Sequence, residues 1–304
     1  MKWDLTLKGS EEFYPKLNNK SYMVLKVDNE QKQDFMSKIF IKFIDELPIS
    51  ENKNINQIHM IGIDFEFNKI RKADRDVALM QINIENESEI AYIFILYPPE
   101  LTSQNYNILI KLITHKQIYK ILHGAESLDI PYVFNQLLNS KEKLSSDTDS
   151  TLSHEHSKKN FELIDGFCSN FYDTRFLCDY FHIENNISGK CSIYNLLLEH
   201  EIISKEKFDD LEKIEEKTGP IYLINIDIHN LGFHMLRYCL YDVIYLPELI
   251  KKFLKMGWSY TSLIPEVTCM INKFKRNPEN KFNKLLKVIN SMNLYFIYDN
   301  NNRI

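Results

Sequence analysis

Ile61-Gly62-Ile63-Asp64-Phe65-Glu66-Phe67 closes an apolar run in which two acids alternate with large hydrophobic residues. Alternate residues of a strand point to the same face. The stretch therefore predicts a strand on which Asp64 and Glu66 project together, while Ile63, Phe65 and Phe67 face a packing side. The run from Ile58 to Phe67 is mostly apolar, as a strand covered on both faces should be. A solubility pair on an edge strand is the alternative, and the Ile-Gly-Ile lead-in with its interleaved phenylalanines argues against it. Two carboxylates aimed the same way repel, and one takes up a proton unless a cation lies between them. Oxygen donors of this type suit Mg²⁺ or Mn²⁺.

Working outward, Ser21–Val27 reads as a short strand. Gln31–Leu47 reads as a helix, with Phe35, Ile39, Phe43 and Leu47 at helical spacing. Residues 1–20 read as an extended arm. Downstream, Val77–Ile84 and Ile90–Leu96 flank the polar turn Asn86–Glu89, which predicts an antiparallel meander with the first strand. Helices follow over Leu101–Thr114 and Ser127–Leu138, with a buried strand at Ile118–Leu122 between them. A last strand at Phe171–Thr174 leads into a helix over Arg175–Phe181. Further helices are expected at Ser192–His200, at the strongly charged and solvent-facing Lys205–Lys217, and as one long helix at Leu231–Met256. Residues 139–160 are polar and read as a mobile surface insertion with no core role. That holds for His154-Glu155-His156 too, where a polar loop outweighs a metal site. Past Gly257 the tail reads as two helices and a final strand-like Leu294–Tyr298. The expected order is an α/β fold, a mixed sheet with helices on its faces. The expected plan is an arm at 1–20, one domain at 21–256 and a helical extension at 257–304.

Two more islands carry acids. In His123-Gly124-Ala125-Glu126-Ser127-Leu128-Asp129-Ile130, Asp129 begins a helix straight after a buried strand. The helix dipole alone would favour it there, and Glu126 competes for any functional role. In Tyr238-Cys239-Leu240-Tyr241-Asp242-Val243, Tyr238 and Asp242 are four apart and share one helix face. An Asp beside that apolar stripe needs a partner or an ion. A nearby Lys or Arg would serve as well, and Tyr238 alone reads as a core aromatic.

The 304 residues are 44% hydrophobic and 26% charged, which suits a chain that buries a core. A formal charge of −5 is a poor footprint for gripping duplex nucleic acid by charge alone. Ions bound to carboxylates would offset it locally. Five scattered cysteines without a C-x-x-C pair argue for unpaired thiols in a reducing, intracellular compartment and against zinc. The N-terminus lacks the apolar core of a secretory signal, and no run is long enough to span a bilayer. The abundance of Ile, Lys and Asn looks like the codon bias of an AT-rich genome, viral or otherwise.

In this order and at this spacing, the three islands resemble the DEDD superfamily of 3′–5′ exonucleases, in particular its RNase D-like branch, over roughly Ser21–Leu254. Ala78–Ile82 and Tyr172-Asp173-Thr174 add matches. The position five before Asp242 is Arg237, where one subclass has histidine. The position four before is Tyr238, so the chain looks like the tyrosine subclass. One extra residue separates His123 from Asp129, which keeps Glu126 in contention. The tryptophan-arginine-proline segment common before the third motif is absent, and no full helical RNA-binding domain follows. The resemblance implies an RNase H-like mixed sheet, three antiparallel strands and then parallel ones. It also implies two-metal hydrolysis of a single-stranded RNA or DNA with a free 3′ end, RNA ahead of DNA. Asp64, Glu66, Asp129 and Asp242 would hold two Mg²⁺ or Mn²⁺ ions, and Tyr238 would orient the attacking water. Lys69, Arg71, Lys72 and Arg75 could contact phosphates, or simply form a solvated loop. A basic face in the tail (Lys273–Lys287) could hold the strand. Phe67 and Tyr97 could stack a base or pack in the core, and His123, within the second motif, is a further candidate for contact with the substrate. A non-catalytic RNA-binding or scaffold protein is the competing reading, and the complete set of four acids and tyrosine favours catalysis. A phosphate-transfer enzyme on another α/β fold would need a Gly-rich loop that is missing.

Overall fold

The structure, a computed structural model, describes residues 21–48, 59–69, 75–85, 90–125, 128–139, 162–219 and 223–255. The expected arm, the insertion and the C-terminal extension lie outside the described residues.

Six strands form one sheet: β1 (Ser21–Val27), β2 (Met60–Lys69), β3 (Arg75–Glu85), β4 (Ile90–Leu96), β5 (Tyr119–Leu122) and β6 (Phe171–Asp173). The order across the sheet is β1-β4-β3-β2-β5-β6. β2, β3 and β4 pair antiparallel, whereas β1–β4, β2–β5 and β5–β6 pair parallel. Only β3 thus runs against the rest. Without β1, this is the RNase H-like arrangement. β1 extends it at the edge beside β4, a placement that no local pattern in Ser21–Val27 specifies.

Helices cover both faces, which is why β2 and β3 are apolar on both sides. One layer holds α1 (Glu30–Asp45), α2 (Ser103–Ile113) and α3 (Asp129–Tyr132). Their apolar residues pack on Ile61, Ile63, Phe65, Met80 and Phe94. The other layer holds α4 (Thr174–Asn185), α5 (Ile193–Glu199), α6 (Lys205–Thr218), α7 (Phe233–Ile244) and α8 (Leu246–Lys255). It packs on Met60, Leu79, Ile93 and Ile121. The charged helix α6 is not merely solvent-facing, since it buries Phe208, Leu211 and Ile214.

Two helix expectations need correction. The segment expected as one helix over Leu231–Met256 is two, broken at Tyr245. Pro247 has no N–H to give Val243 O four residues back. Asn83 on β3 supplies the missing donor, its Nδ2 giving to Val243 O and Ile244 O at 3.2 Å each. The helix expected at Ser127–Leu138 starts at Asp129 and widens into a π-turn over Val133–Leu137, where Leu138 N–H reaches Val133 O.

Candidate active site

Asp64 and Glu66 stand toward the C-terminal end of β2, on the face that α7 crosses. A register shift follows directly at Glu66/Phe67, a kind of irregularity that re-aims side chains. Gly62 lets α7 come close, because a Cβ there would lie 2.9 Å from Val243 O. With Asn83 holding the same turn, Asp242 is delivered to the two strand acids. Ligand oxygens of Asp64, Glu66 and Asp242 lie within 4.8 Å of one another.

Desolvation pushes all three acids up, and repulsion from neighbouring acids adds to it at Glu66 and Asp242. Desolvation raises Asp64 to about 7, opposed by the Phe65 N–H. Desolvation first, and then the charges of Asp64, Asp242 and Asp129, raise Glu66 well above the carboxylate range. Asp242 is raised by burial, then by Asp64 and Glu215. The alternative in which a Lys or Arg partners Asp242 is not what forms. Its hydrogen-bond donors are the hydroxyls of Tyr238 and Tyr194. Three poorly solvated carboxylates facing one another, Glu66 buried and Asp64 and Asp242 half-buried, are the donor set that a hard divalent cation requires.

Asp129 opens α3, is buried, and is close enough to act on Glu66. It stands outside the tight group of three. Glu126, its rival, lies outside the described residues. Tyr238 is held protonated by burial and by the charges of Asp242, Glu66 and Asp64, so it faces the acids as a hydroxyl donor.

A cleft of about 600 Å³ opens over the carboxylates. Asp64, Glu66, Tyr238 and Asp242 line one side, and His123, Arg175 and Lys190 stand among the remaining wall. His123 is driven down to about 3 by burial and by the Arg175 charge. It therefore sits as a neutral imidazole, with Nδ1 2.9 Å from Thr174 Oγ1. The turn that carries it is built by Asp173. Its Oδ1 accepts the N–H groups of Gly124, Arg175 and Phe176 at 2.9, 3.0 and 3.1 Å, and its Oδ2 that of Ala125 at 2.8 Å. Gly124 adopts φ +70° there, which a side chain would strain.

The other expected substrate residues stand elsewhere. Phe67 packs on Phe65 and Tyr132, with ring centroids 6.4 and 6.0 Å away. Tyr97 packs against both apolar clusters. Lys69 and Arg75 face each other at the end of the β2–β3 hairpin. None of these four lines the cleft. Arg71, Lys72 and the basic tail lie outside the described residues.

Sequence reasoning missed Tyr194, Asn83, Arg175 and Lys190. Tyr194 sits in α5, 48 positions before Asp242, and nothing local marks it. The Pro247 break was the available signal for Asn83, since it frees a carbonyl that some donor must satisfy. The expectation of unpaired cysteines is also corrected. Cys178 and Cys191, 13 residues apart, are joined as a disulfide with Cα atoms 5.8 Å apart. The chain after α4 doubles back over that helix, a contact that sequence spacing does not encode. Cys168 and Cys239 are buried and stand outside that disulfide.

The sequence pattern of a family described as 3'-5' exonuclease matches residues 40–258. "Uncharacterized protein L533" of Acanthamoeba polyphaga mimivirus is 30% identical over 250 residues, which is 78% of this chain and 43% of that protein. The chain thus spans less than half the length of that relative. Among solved structures, the catalytic core of RRP6 from Trypanosoma brucei matches with a TM-score of 0.49 and 13% identity, covering 85% of this chain and 54% of that one. Escherichia coli RNase D gives a TM-score of 0.47 and 15% identity, with 86% and 52% covered. The Nibbler EXO domain of Aedes aegypti gives 0.44 and 16%, with 87% and 95% covered. Among the described residues no helix is long and apolar enough to cross a membrane.

Proposed function

Because the chain belongs to the 3'-5' exonuclease family, we propose that it is an active, metal-dependent exonuclease. It shortens single-stranded nucleic acid from the 3′ end and releases nucleoside 5′-monophosphates. The observation that carries this reading is the gathering of Asp64, Glu66 and Asp242 within 4.8 Å, with Tyr238 bonded to Asp242. The preference for RNA rests on the resemblance of the three motifs to the RNase D-like branch.

The donor set fits divalent ions: oxygen ligands only, half-buried or buried, and raised in pKa by desolvation, with the neighbouring acids' charges adding to it at Glu66 and Asp242. Asp64, Glu66 and Asp242 would hold one Mg²⁺ or Mn²⁺, and Asp64 with Asp129 a second. Bound there, such ions supply a water of lowered pKa and a charge that stabilises the leaving 3′ oxygen. The remaining work falls to the chain. Tyr238 keeps its proton, gives it as a hydrogen bond to Asp242, and offers its oxygen to position the attacking water. Tyr194 holds Asp242 from a second direction. Arg175 and Lys190 place positive charge where the phosphate backbone would cross the cleft, so binding should weaken steeply with salt. His123, neutral, shapes the wall beside them and adds no cation.

The test uses 3′- and 5′-labelled single strands of RNA and DNA with Mg²⁺, Mn²⁺ or EDTA, beside Asp64→Ala. Stepwise loss from the 3′ end, abolished by EDTA and by the substitution, is expected. Degradation that survives either would sink the proposal. Binding without cleavage would favour the non-catalytic RNA-binding or scaffold reading.

A further inference from the structure

In the cleft wall, which Cys191 helps to line, and behind it lies a second group of ligating side chains that the carboxylate chemistry does not use. Cys178 and His182 are four apart on α4, on one helix face, and Cys191 reaches them from the returning chain. One ligand atom from each lies within 4.8 Å of the others. All three are sealed, with exposures of 1% for Cys178, and 6% for both His182 and Cys191.

A disulfide alone does not account for the imidazole. A buried ring nitrogen needs a polar partner, and the sulfurs of a disulfide are poor ones. Yet His182 Nδ1 lies 3.6 Å from Cys191 Sγ and 4.0 Å from Cys178 Sγ, and Nε2 lies 3.7 Å from Cys178 Sγ. Tetrahedral zinc, with Zn–S about 2.3 Å and Zn–N about 2.0 Å, sets its nitrogen and sulfur ligands about 3.5 Å apart. A ring nitrogen thus lies within 3.7 Å of each sulfur, and a turn of the ring about χ2 is what remains to aim Nδ1 at a shared ion. Its other nitrogen, Nε2, has Glu199 Oε1 at 3.7 Å, and a carboxylate on the far nitrogen is the usual support of a metal-binding histidine. Gly189 closes over the ring, and any Cβ there would lie 2.9 Å from His182 Cε1.

We propose that Cys178, His182 and Cys191 form a zinc site in the reduced protein, with Glu199 supporting the imidazole. Three protein ligands leave the fourth position to water. Reaching that state takes a two-electron reductant, a dithiol oxidised to its own disulfide or a phosphine oxidised with water to its oxide, as the Cys178–Cys191 bond breaks to two thiols. The two sulfurs then part to about 3.8 Å, the edge set by those Zn–S bonds, and release both protons to solvent as zinc binds. The ion would tie α4 to the segment that carries Lys190 into the cleft wall and continues to Tyr194. The site stands on its own donors and does not depend on the carboxylates being catalytic.

Cobalt(II) reports the difference between the two centres. The full chain, reduced with a phosphine and stripped of metal, is titrated with Co²⁺ and read by its absorption spectrum. A thiolate-to-cobalt charge-transfer band is expected to saturate at about one equivalent per chain and to vanish when Zn²⁺ is added, by the ligand preferences of such sites. Asp64→Asn with Asp242→Asn should leave the band intact, since carboxylates produce none. Cys191→Ser should lose it, and Glu199→Gln should weaken zinc binding by about 10-fold. Absence of the band in the reduced wild-type protein would overturn the proposal without recourse to any variant. So would a band that survives Cys178→Ser with Cys191→Ser, which would place the metal on one of the other three cysteines, Cys168, Cys239 or Cys269. Thiols that remain locked as a disulfide in the reductant would reduce the cluster to a covalent clamp.

Discussion

Asp173 and Asp64 are both poorly solvated aspartates on the sheet, the first buried at the close of β6 and the second half-buried near the end of β2. Around Asp173 the chain supplies four backbone N–H groups. Burial still raises its carboxyl, but those donors pull back against it. Asp64 has one such donor, from Phe65, and two further acids for company. The difference separates a structural acid from a functional one. Burial is common to both; what distinguishes them is whether the chain itself provides the positive ends of dipoles. Where it does, the acid organises a turn. Where it supplies more acid instead, something from outside must complete the site.

Asp64→Asn is the strongest way to break that comparison. Activity should fall by about 10³-fold or more, the loss of several kcal/mol of metal-derived stabilisation. The metal-free protein should melt no lower than wild type, because a poorly solvated charge has been removed. A lower melting temperature would mean that Asp64, too, is structural. Asp173→Ala should do the reverse and destabilise the fold by about 2–4 kcal/mol in urea titrations, since buried N–H groups lose their acceptor. Asp173→Asn should recover part of this, because one oxygen can still accept as Oδ1 does from Gly124, Arg175 and Phe176.

Smaller effects sharpen the picture. Tyr238→Phe should lower turnover by about 10²-fold, the range of a positioned proton-handling group, with divalent-ion affinity measured by calorimetry nearly unchanged. Tyr194→Phe removes one of the two donors on Asp242 and should lower turnover by about 10-fold, the worth of a hydrogen bond to a charged group.

The gentlest test is pH. Asp64 holds its proton to about 7 in the fold, against 3.8 ordinarily, so the folded state binds more protons between those values. Stability of the metal-free protein should therefore fall as pH rises from about 4 to about 7. Mg²⁺ should raise the melting temperature more at pH 8 than at pH 5, because the ion competes with those protons. A melting temperature of the metal-free protein that climbs across this window would show that the acids are satisfied internally, with their charged forms stabilised by the fold.

Much of this was legible locally. The D-x-E pair was visible because strand alternation places Asp64 and Glu66 on one face whatever else surrounds them. Tyr238 and Asp242 were visible because four residues make one helical turn. The meander, β5 and α2 follow from apolar periodicity and turn residues, and their bounds moved by only a residue or two. The long C-terminal helix was misjudged because its apolar stripe continues through Pro247, whose effect is felt four residues earlier. The cysteine pair was missed because two residues in unrelated elements meet only when the chain folds back.

By itself the sequence determined which acids share a face, which tyrosine accompanies Asp242, and which segments alternate as strands. These are consequences of backbone periods of 2 and 3.6 residues, which act over a few positions. Only the tertiary structure decided that strand acids and helix acid meet, that Tyr194 holds Asp242, that Asn83 satisfies the broken helix, and that two distant cysteines lie against one histidine. Those pairings depend on close approaches such as Gly62 to Val243 O. A close approach is a property of packed elements, and no single stretch of chain contains it.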